Sequence, residues 1–467
     1  MKPLSADAPQ KAKRFLSRTA PPVVALLTFA TPLGAQTSTS PCGTSAGARI
    51  ALPALDAPYN VANGYRAPSM PQALAVSESF YEISHRAIQQ AWRRHTLPGR
   101  LSVLGWDLFN ALLMPLPASD AWVHEEYHRA VLGRRGADSF NDVYKFAFAP
   151  SGIRVSHVED DDLVRLKRDH PAEQVRLSAA GIEGEYQLVQ QLEKHAFFDC
   201  SPAWHVPVYW LAKLGSIGYV MSSTWSAVDV FTDEENFRER ADVARRDFTG
   251  HDFTAWVYDL HRPEEPYPAR GVHPYGVGID RYIKAADLTV DERRYVQHQG
   301  RLQLLNLLDP FLVGLRGFTV PNLLNGRPMR LTANVGHVLT SFGDTVDANI
   351  FLHQDDVRLL VVVHTYGNGQ RRFPGIDAEV IDYRVSVRGR PLNVSLRGAL
   401  WLQPADQRFH TSDSTPGALL GFTVQRPGRG RIGGYFAAEG KTEGWVAGNV
   451  FLGPNVSVRV GVSIELR

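Results

Sequence analysis

The chain has 467 residues and a formal net charge of +2. That near-neutral balance argues against a nucleic-acid partner. The length allows two or three domains with sizeable cores. The two cysteines, Cys42 and Cys200, belong to no C-x-x-C, which argues against a thiolate zinc site and leaves their pairing open.

Residues 1–35 predict an export signal. Lys11, Lys13, Arg14 and Arg18 form a positive segment, residues 23–30 a short apolar run, and Leu33-Gly34-Ala35 a cleavage site. The apolar run is too short for a comfortable membrane span. Export points to the outer membrane or periplasm of a Gram-negative bacterium. Residues 36–70, rich in Ser, Thr, Gly, Ala and Pro, predict a linker or extended arm.

Residues 71–325 read as mainly helical. Phe80, Ile83, Ala87, Ile88 and Ala91 share a face, and Pro98-Gly99 stops the run. A second helix follows over 103–114. His124-Glu125-Glu126-Tyr127-His128 then matches H-E-x-x-H, with Ser119 and Asp120 as a helix start and Leu132-Gly133 as a stop. Residues four apart share a helix face, so both imidazoles can reach one metal ion. The intervening Glu125 can take a proton from a metal-activated water. The cofactor this predicts is Zn2+.

Residues 153–158 look like a short strand, and the run 159–162 a solvated acidic helix start, since its spacing does not suit an EF-hand. Pro171 opens a long helix to about His195. Thr232-Asp233-Glu234-Glu235 and Thr289-Val290-Asp291-Glu292 are capping boxes that predict two helix starts. The most apolar stretches, 103–114, 206–228 and 302–315, each carry a polar interruption (Asp107, Lys213, Asp309) and read as buried core helices.

Over 326–467 the period changes to two. Val456, Val458, Val460, Val462 and Ile464 alternate with Ser457, Arg459, Gly461 and Ser463. Gly367-Asn368-Gly369-Gln370, Arg388-Gly389-Arg390-Pro391 and residues 426–430 mark turns. About eight strands of membrane-barrel length fit this part. In an outer-membrane barrel the apolar face meets lipid; in a soluble barrel or sandwich it is the core. Export and strand length favour the membrane barrel, although Arg467 is not the aromatic residue that often closes one.

An H-E-x-x-H pair needs a third ligand. The best candidate segment is Ala179-Ala180-Gly181-Ile182-Glu183-Gly184-Glu185, whose small residues let one helix approach another closely. Here the chain resembles zinc metallopeptidases of gluzincin-like type, in which a glutamate on a second helix completes the H-E-x-x-H site. The resemblance covers 124–128 and about 179–187. It implies His124 and His128 as ligands, Glu125 as general base and Glu183 as third ligand. Glu185 is the alternative, because the two glutamates lie about 200° apart on a helix. His205, Tyr209, Tyr219, His251 and His273 are candidate donors to a tetrahedral oxyanion. Glu126 either orients a ligand imidazole or pairs with Arg129 or Arg134.

The fold expectation is therefore α+β: a mainly helical zincin-like domain followed by an antiparallel β-barrel. The functional expectation is an exported zinc-dependent hydrolase, a metallopeptidase taking a peptide or protein substrate and associated with outer-membrane lipid. Two rivals remain: an outer-membrane structural or transport protein with a non-catalytic helical domain, and a lipid or glycan hydrolase using the same metal.

Overall fold

A computed structural model describes residues 48–466 except 93–95, 150–151, 200, 202, 240–241, 323–325 and 427–430. The expected export signal, both cysteines and the turn residues 427–430 lie outside the described residues. The arrangement is α+β. Helices α1 (Met70–Ala91), α2 (Leu97–Leu108), α3 (Asp120–Arg134), α4 (Asp160–Asp169), α5 (Pro171–Phe198), α6 (Val206–Ser222), α7 (Ser226–Glu239), α8 (Asp252–His261) and α9 (Val290–Leu302) form most of the first part. Among the described residues, no helix is long and apolar enough to cross a membrane.

Local chemistry explains most helix starts. Ser69 and Gln72 form a reciprocal capping box on α1, and Thr289 and Glu292 form one on α9. Pro171 occupies the first turn of α5, where its missing N–H costs nothing. The start expected at Thr232 is not made. Helix α7 begins at Ser226 and places Thr232 in its interior. An already propagating helix adds a hydrogen bond per residue, which outweighs a local capping preference.

The strands are β1 (Ala48–Ala57), a short pair β2 (Phe140–Asn141) and β3 (Val155–Ser156), then β4 (Phe318–Pro321), β5 (Pro328–Thr340), β6 (Gly343–Gln354), β7 (Val357–Gly367), β8 (Arg372–Val387), β9 (Arg390–Pro404), β10 (Ser414–Arg426), β11 (Ile432–Lys441) and β12 (Asn455–Leu466). All but β2 and β3 join one antiparallel sheet of ten strands, ordered β1-β12-β11-β10-β9-β8-β7-β6-β5-β4. Two turns come from the expected residues. Asn368 and Gly369 lie between β7 and β8, and Arg388 (φ 51°) and Gly389 (φ 73°) give the left-handed pair that a two-residue hairpin needs.

The expected closed barrel of about eight strands is corrected here. There are ten strands, and the edges β1 and β4 are not hydrogen-bonded to each other among the described residues. The extra strands come from outside 326–467. Ala48–Ala57, within the stretch expected as a linker or arm, pairs with β12 from Ala48↔Leu466 to Ala57↔Val458. Phe318–Pro321 pairs with β5. Helical segments pack near both ends of the sheet instead: α1 on β1, and the single turns Gln303–Leu307 and Pro310–Val313 on β5, the strand next to the edge.

The sheet nevertheless curls. One cavity of about 240 Å³ is lined by Tyr186, Gln190 and Lys194 of α5 together with residues from every strand between β6 and β12. Only a sheet bent around the helix can bring those strands to one space. Side chains tie the helix to the wall: Gln190 donates to Asn349 at 2.9 Å, and Lys194 pairs with Glu379 at 2.7 Å. The inner face is polar, with Arg397–Asp377 at 2.6 Å and His364–Asp347 at 2.7 Å. The outer face carries the apolar alternates. Leu400 is 63% exposed, Leu420 73% and Val456 70%. This is the reverse of a soluble sandwich, whose apolar alternates face each other in a core.

Candidate metal centre

Helix α3 is not amphipathic in its setting. Every residue from Trp122 to Gly133 is buried, including His124, Glu125, Glu126, His128 and Arg129. Charged residues are rarely buried on all sides without partners or a chemical task. The first half of α5, Glu173 to Gly184, is equally buried and crosses beside α3. Gly181 lies against the His124 ring, and a Cβ there would collide with the imidazole. Gly184 faces the Tyr127 ring in the same way. The small-residue stretch thus does what its sequence predicts: it lets the two helices approach.

The ring nitrogens then sort themselves. His128 Nδ1 lies 2.5 Å from the carbonyl oxygen of Leu177. A carbonyl only accepts, so Nδ1 carries the proton and Nε2 offers its lone pair. His124 Nδ1 lies 2.7 Å from Glu185 Oε1, which fixes the same tautomer, and Ser216 Oγ donates to Glu185 Oε2 at 2.8 Å. Both free Nε2 atoms face one carboxylate oxygen, Asp252 Oδ2, at 3.3 Å from His124 and 3.5 Å from His128. Three buried ligand atoms therefore lie within 4.8 Å of one another. Metal bonds of about 2 Å at tetrahedral angles put donor atoms about 3.3 Å apart. The His124, His128 and Asp252 group can hold a metal ion, and its donor set fits one.

The placement of the expected residues follows directly. His124 and His128 come together, and Glu125 lies near enough to both and to Asp252 to interact with them electrostatically. Glu183 does not join them. It is fully buried elsewhere, with Oε1 accepting from Arg176 at 2.7 Å and from the Gly448 N–H at 2.8 Å. Glu185 reaches the site, but through the outer nitrogen of His124, as an orienting partner. The third donor of the group is Asp252, 128 residues beyond His124 in the chain. Neither spacing nor periodicity marks it. The local signal at Thr249-Gly250-His251-Asp252 is only that of a helix start. Glu126 makes a two-pronged pair with Arg129, at 2.8 and 2.7 Å, and accepts from Asn141 at 2.9 Å. Arg134 lies over the Phe451 ring instead.

Two of the five candidate oxyanion donors gather here. The Tyr219 ring centroid is 6.2 Å from that of His124, and its hydroxyl accepts from the Asp252 N–H at 3.3 Å. His251 lies 4.4 Å from Tyr219. His205 is instead bound to Glu82 at 2.7 Å and to His85 at 2.9 Å. Tyr209 lines a separate cavity, and His273 Nδ1 accepts from the Tyr275 N–H.

The electrostatics favour a cation. Burial pushes the Asp252 carboxyl up, but His128 and His124 outweigh that and hold it well below the ordinary carboxylate range. Burial opposes charge on His124, yet Asp252 and Glu185 raise its affinity for a proton well above the usual imidazole value. Burial lifts Glu125 to about 7 against the pull of His124 and His128, which poises it to exchange protons near neutrality. Compared with known proteins, the chain matches no family model, no curated protein and no solved structure.

Proposed function

We propose that this chain is a zinc-dependent hydrolase, a metallopeptidase in its chemistry, held at a membrane by the outer face of its sheet. The observation that carries the reading is the convergence of His124 Nε2, His128 Nε2 and Asp252 Oδ2, with Glu125 one residue from a ligand. Two neutral imidazoles and one carboxylate suit zinc, and three protein ligands leave a fourth position for water or substrate.

Zinc held by His124, His128 and Asp252 would supply Lewis acidity at this site. Glu125 takes the proton from the attacking water and passes it to the leaving amine, a task its affinity near 7 suits. Glu185 and the Leu177 carbonyl hold the two imidazoles in their metal-facing tautomers. Tyr219, whose phenol burial keeps protonated, stands as a donor beside the site. The resemblance to gluzincin-like peptidases supports a peptide or protein substrate through the H-E-x-x-H segment; the carboxylate ligand differs, being an aspartate on α8.

Membrane association is supported by the exposed apolar outer face over β7 to β12, including Val363, Ile376, Leu396, Leu400, Leu420, Phe436 and Val460. A contiguous apolar surface of this extent marks an interaction site on a protein, and apolar-out, polar-in alternation is the pattern of a sheet in lipid. The ties from Gln190 and Lys194 to the wall favour a fixed helix inside the sheet over a transport pore.

The test is metal content and activity together. Purified protein should carry one zinc per chain, Asp252→Ala should lose it, and Glu125→Gln should keep zinc while losing peptide hydrolysis. Wild-type protein that binds no zinc rules the reading out, and a fully active Glu125→Gln assigns the site a structural role.

A further inference from the structure

A second cavity, of about 140 Å³, lies between α2, the N-terminal end of α6 and the Pro310–Val313 turn. Its lining is unusual. Two arginines, Arg100 and Arg316, line it, and no aspartate or glutamate is among its described lining residues. Arg316 donates to two backbone carbonyls, Ser201 at 2.8 Å and Ala203 at 3.4 Å, and makes no ion pair among the described residues. Arg100 Nε is buried with no hydrogen-bond partner among the described residues, while its guanidinium sits 5.7 Å from the Trp204 ring centroid. The nearby Glu82 is already spent on Arg86, Ser201 and His205.

A third polar group points the same way. Tyr209 lines this cavity and is 2% exposed, and its hydroxyl has no hydrogen-bond partner among the described residues. A buried hydroxyl left without a partner is destabilising unless something else satisfies it. Two cations and one orphaned donor around a single space form a receptor for an anion.

Apart from His205, whose two ring nitrogens are held by Glu82 and His85, the rest of the wall is apolar and includes Trp204, Phe311 and Val313. The apolar character continues outward. Val313 is 56% exposed, and Leu315 beside Arg316 is also exposed. Leu97 and Leu101 on α2 are exposed too, and Leu97 shares a helix face with Arg100 at a spacing of three. The cavity has room for a headgroup and no more, so an attached chain would leave across this rim.

We propose that this cavity binds the anionic headgroup, carboxylate or phosphate monoester, of a single-chain amphiphile whose alkyl tail lies along Val313, Leu315, Leu97 and Leu101. The site is separate from the metal centre, although α6 serves both. Tyr209 lines this cavity, and Ser216, two turns later, holds Glu185. The proposal does not depend on the hydrolase reading.

The experiment titrates full-length protein in a neutral detergent with dodecanoate, dodecyl phosphate, dodecanol and inorganic phosphate, read by calorimetry. The expected result is saturable binding of one charged amphiphile per chain, with dodecanol and inorganic phosphate each at least tenfold weaker. The stronger of dodecanoate and dodecyl phosphate identifies a fatty acid or a phospholipid-type headgroup as the source. Arg100→Gln, which removes a side chain whose one contact among the described residues is the Trp204 face, should weaken the charged ligands at least tenfold and leave dodecanol unchanged. Tyr209→Phe should weaken them several-fold with its thermal midpoint preserved. His124→Ala, which removes a metal ligand, should leave this binding intact. Absence of saturable binding, equal binding of dodecanol and dodecanoate, equal binding of inorganic phosphate, or an unaffected Arg100→Gln would each overturn the assignment.

Discussion

Gly181 of α5 lies against the imidazole of His124 on α3, with no room for a β-carbon between them. The closeness of the two helices at this point sets the position of the metal-facing nitrogen. Gly181→Ala should therefore displace the ring. Overpacking of this kind costs about 1–3 kcal/mol, and zinc affinity should fall with it. Gly215 on α6 is the control, because a β-carbon there meets nothing within 4 Å. Gly215→Ala should raise stability by up to about 1 kcal/mol through helix propensity. Thermal midpoints and a chelator competition for zinc separate the two cases.

Glu183 and Glu185 sit two residues apart with different tasks, and their variants should separate cleanly. Glu185→Ala removes the partner of His124 Nδ1 and should lower zinc affinity about 10–100-fold with the fold intact. Glu183→Ala leaves Arg176 buried and unpaired, which costs about 3–5 kcal/mol. It should lower the thermal midpoint while the folded fraction keeps its zinc affinity. A loss of zinc from well-folded Glu183→Ala would return that residue to the ligand set.

His205 makes stability pH-dependent. Its ring is fully buried, and burial lowers its affinity to about 4, with His85 opposing a charge and Glu82 favouring one. An unfolded imidazole titrates near 6.5. Between those values the unfolded chain holds the extra proton, so stability is present above about 6.5 and is lost as pH falls toward 4. Midpoints measured from pH 7.5 to 4 should decline more steeply in wild type than in His205→Gln. Equal slopes would remove His205 as the cause.

The outer face of the sheet gives a test of its surroundings. Leu420→Arg or Val456→Arg should cost about 2–4 kcal/mol if those positions lie near a bilayer midplane, and little if they face water. Both side chains are already exposed, so neither change disturbs a core. Folding yield into phospholipid vesicles measures the effect. Thr423→Ser, on the inner face, should have little.

The helix carrying His124 and His128 is legible in the chain because its information is local. Ser119 and Asp120 mark its start, and a spacing of four puts both imidazoles on one face whatever the rest of the protein does. The alternation in β12 is legible for the same reason, since it follows from the pleat of a single strand. Even the close passage of α5 is announced by Gly181 and Gly184.

The remainder is a matter of contacts between distant segments. Asp252 approaches His124 across 128 residues, and only the packing of α8 on α5 selects it over Glu183, which Arg176 claims first. Alternation fixes two faces of a strand but does not say which is inside. That is decided when Tyr186, Gln190 and Lys194 of α5 give Asp347, Asn349 and Glu379 polar partners within the curl. The pairing of Ala48–Ala57 with the last strand is likewise invisible locally, because backbone hydrogen bonds carry no sequence signature until the partner strand is in place.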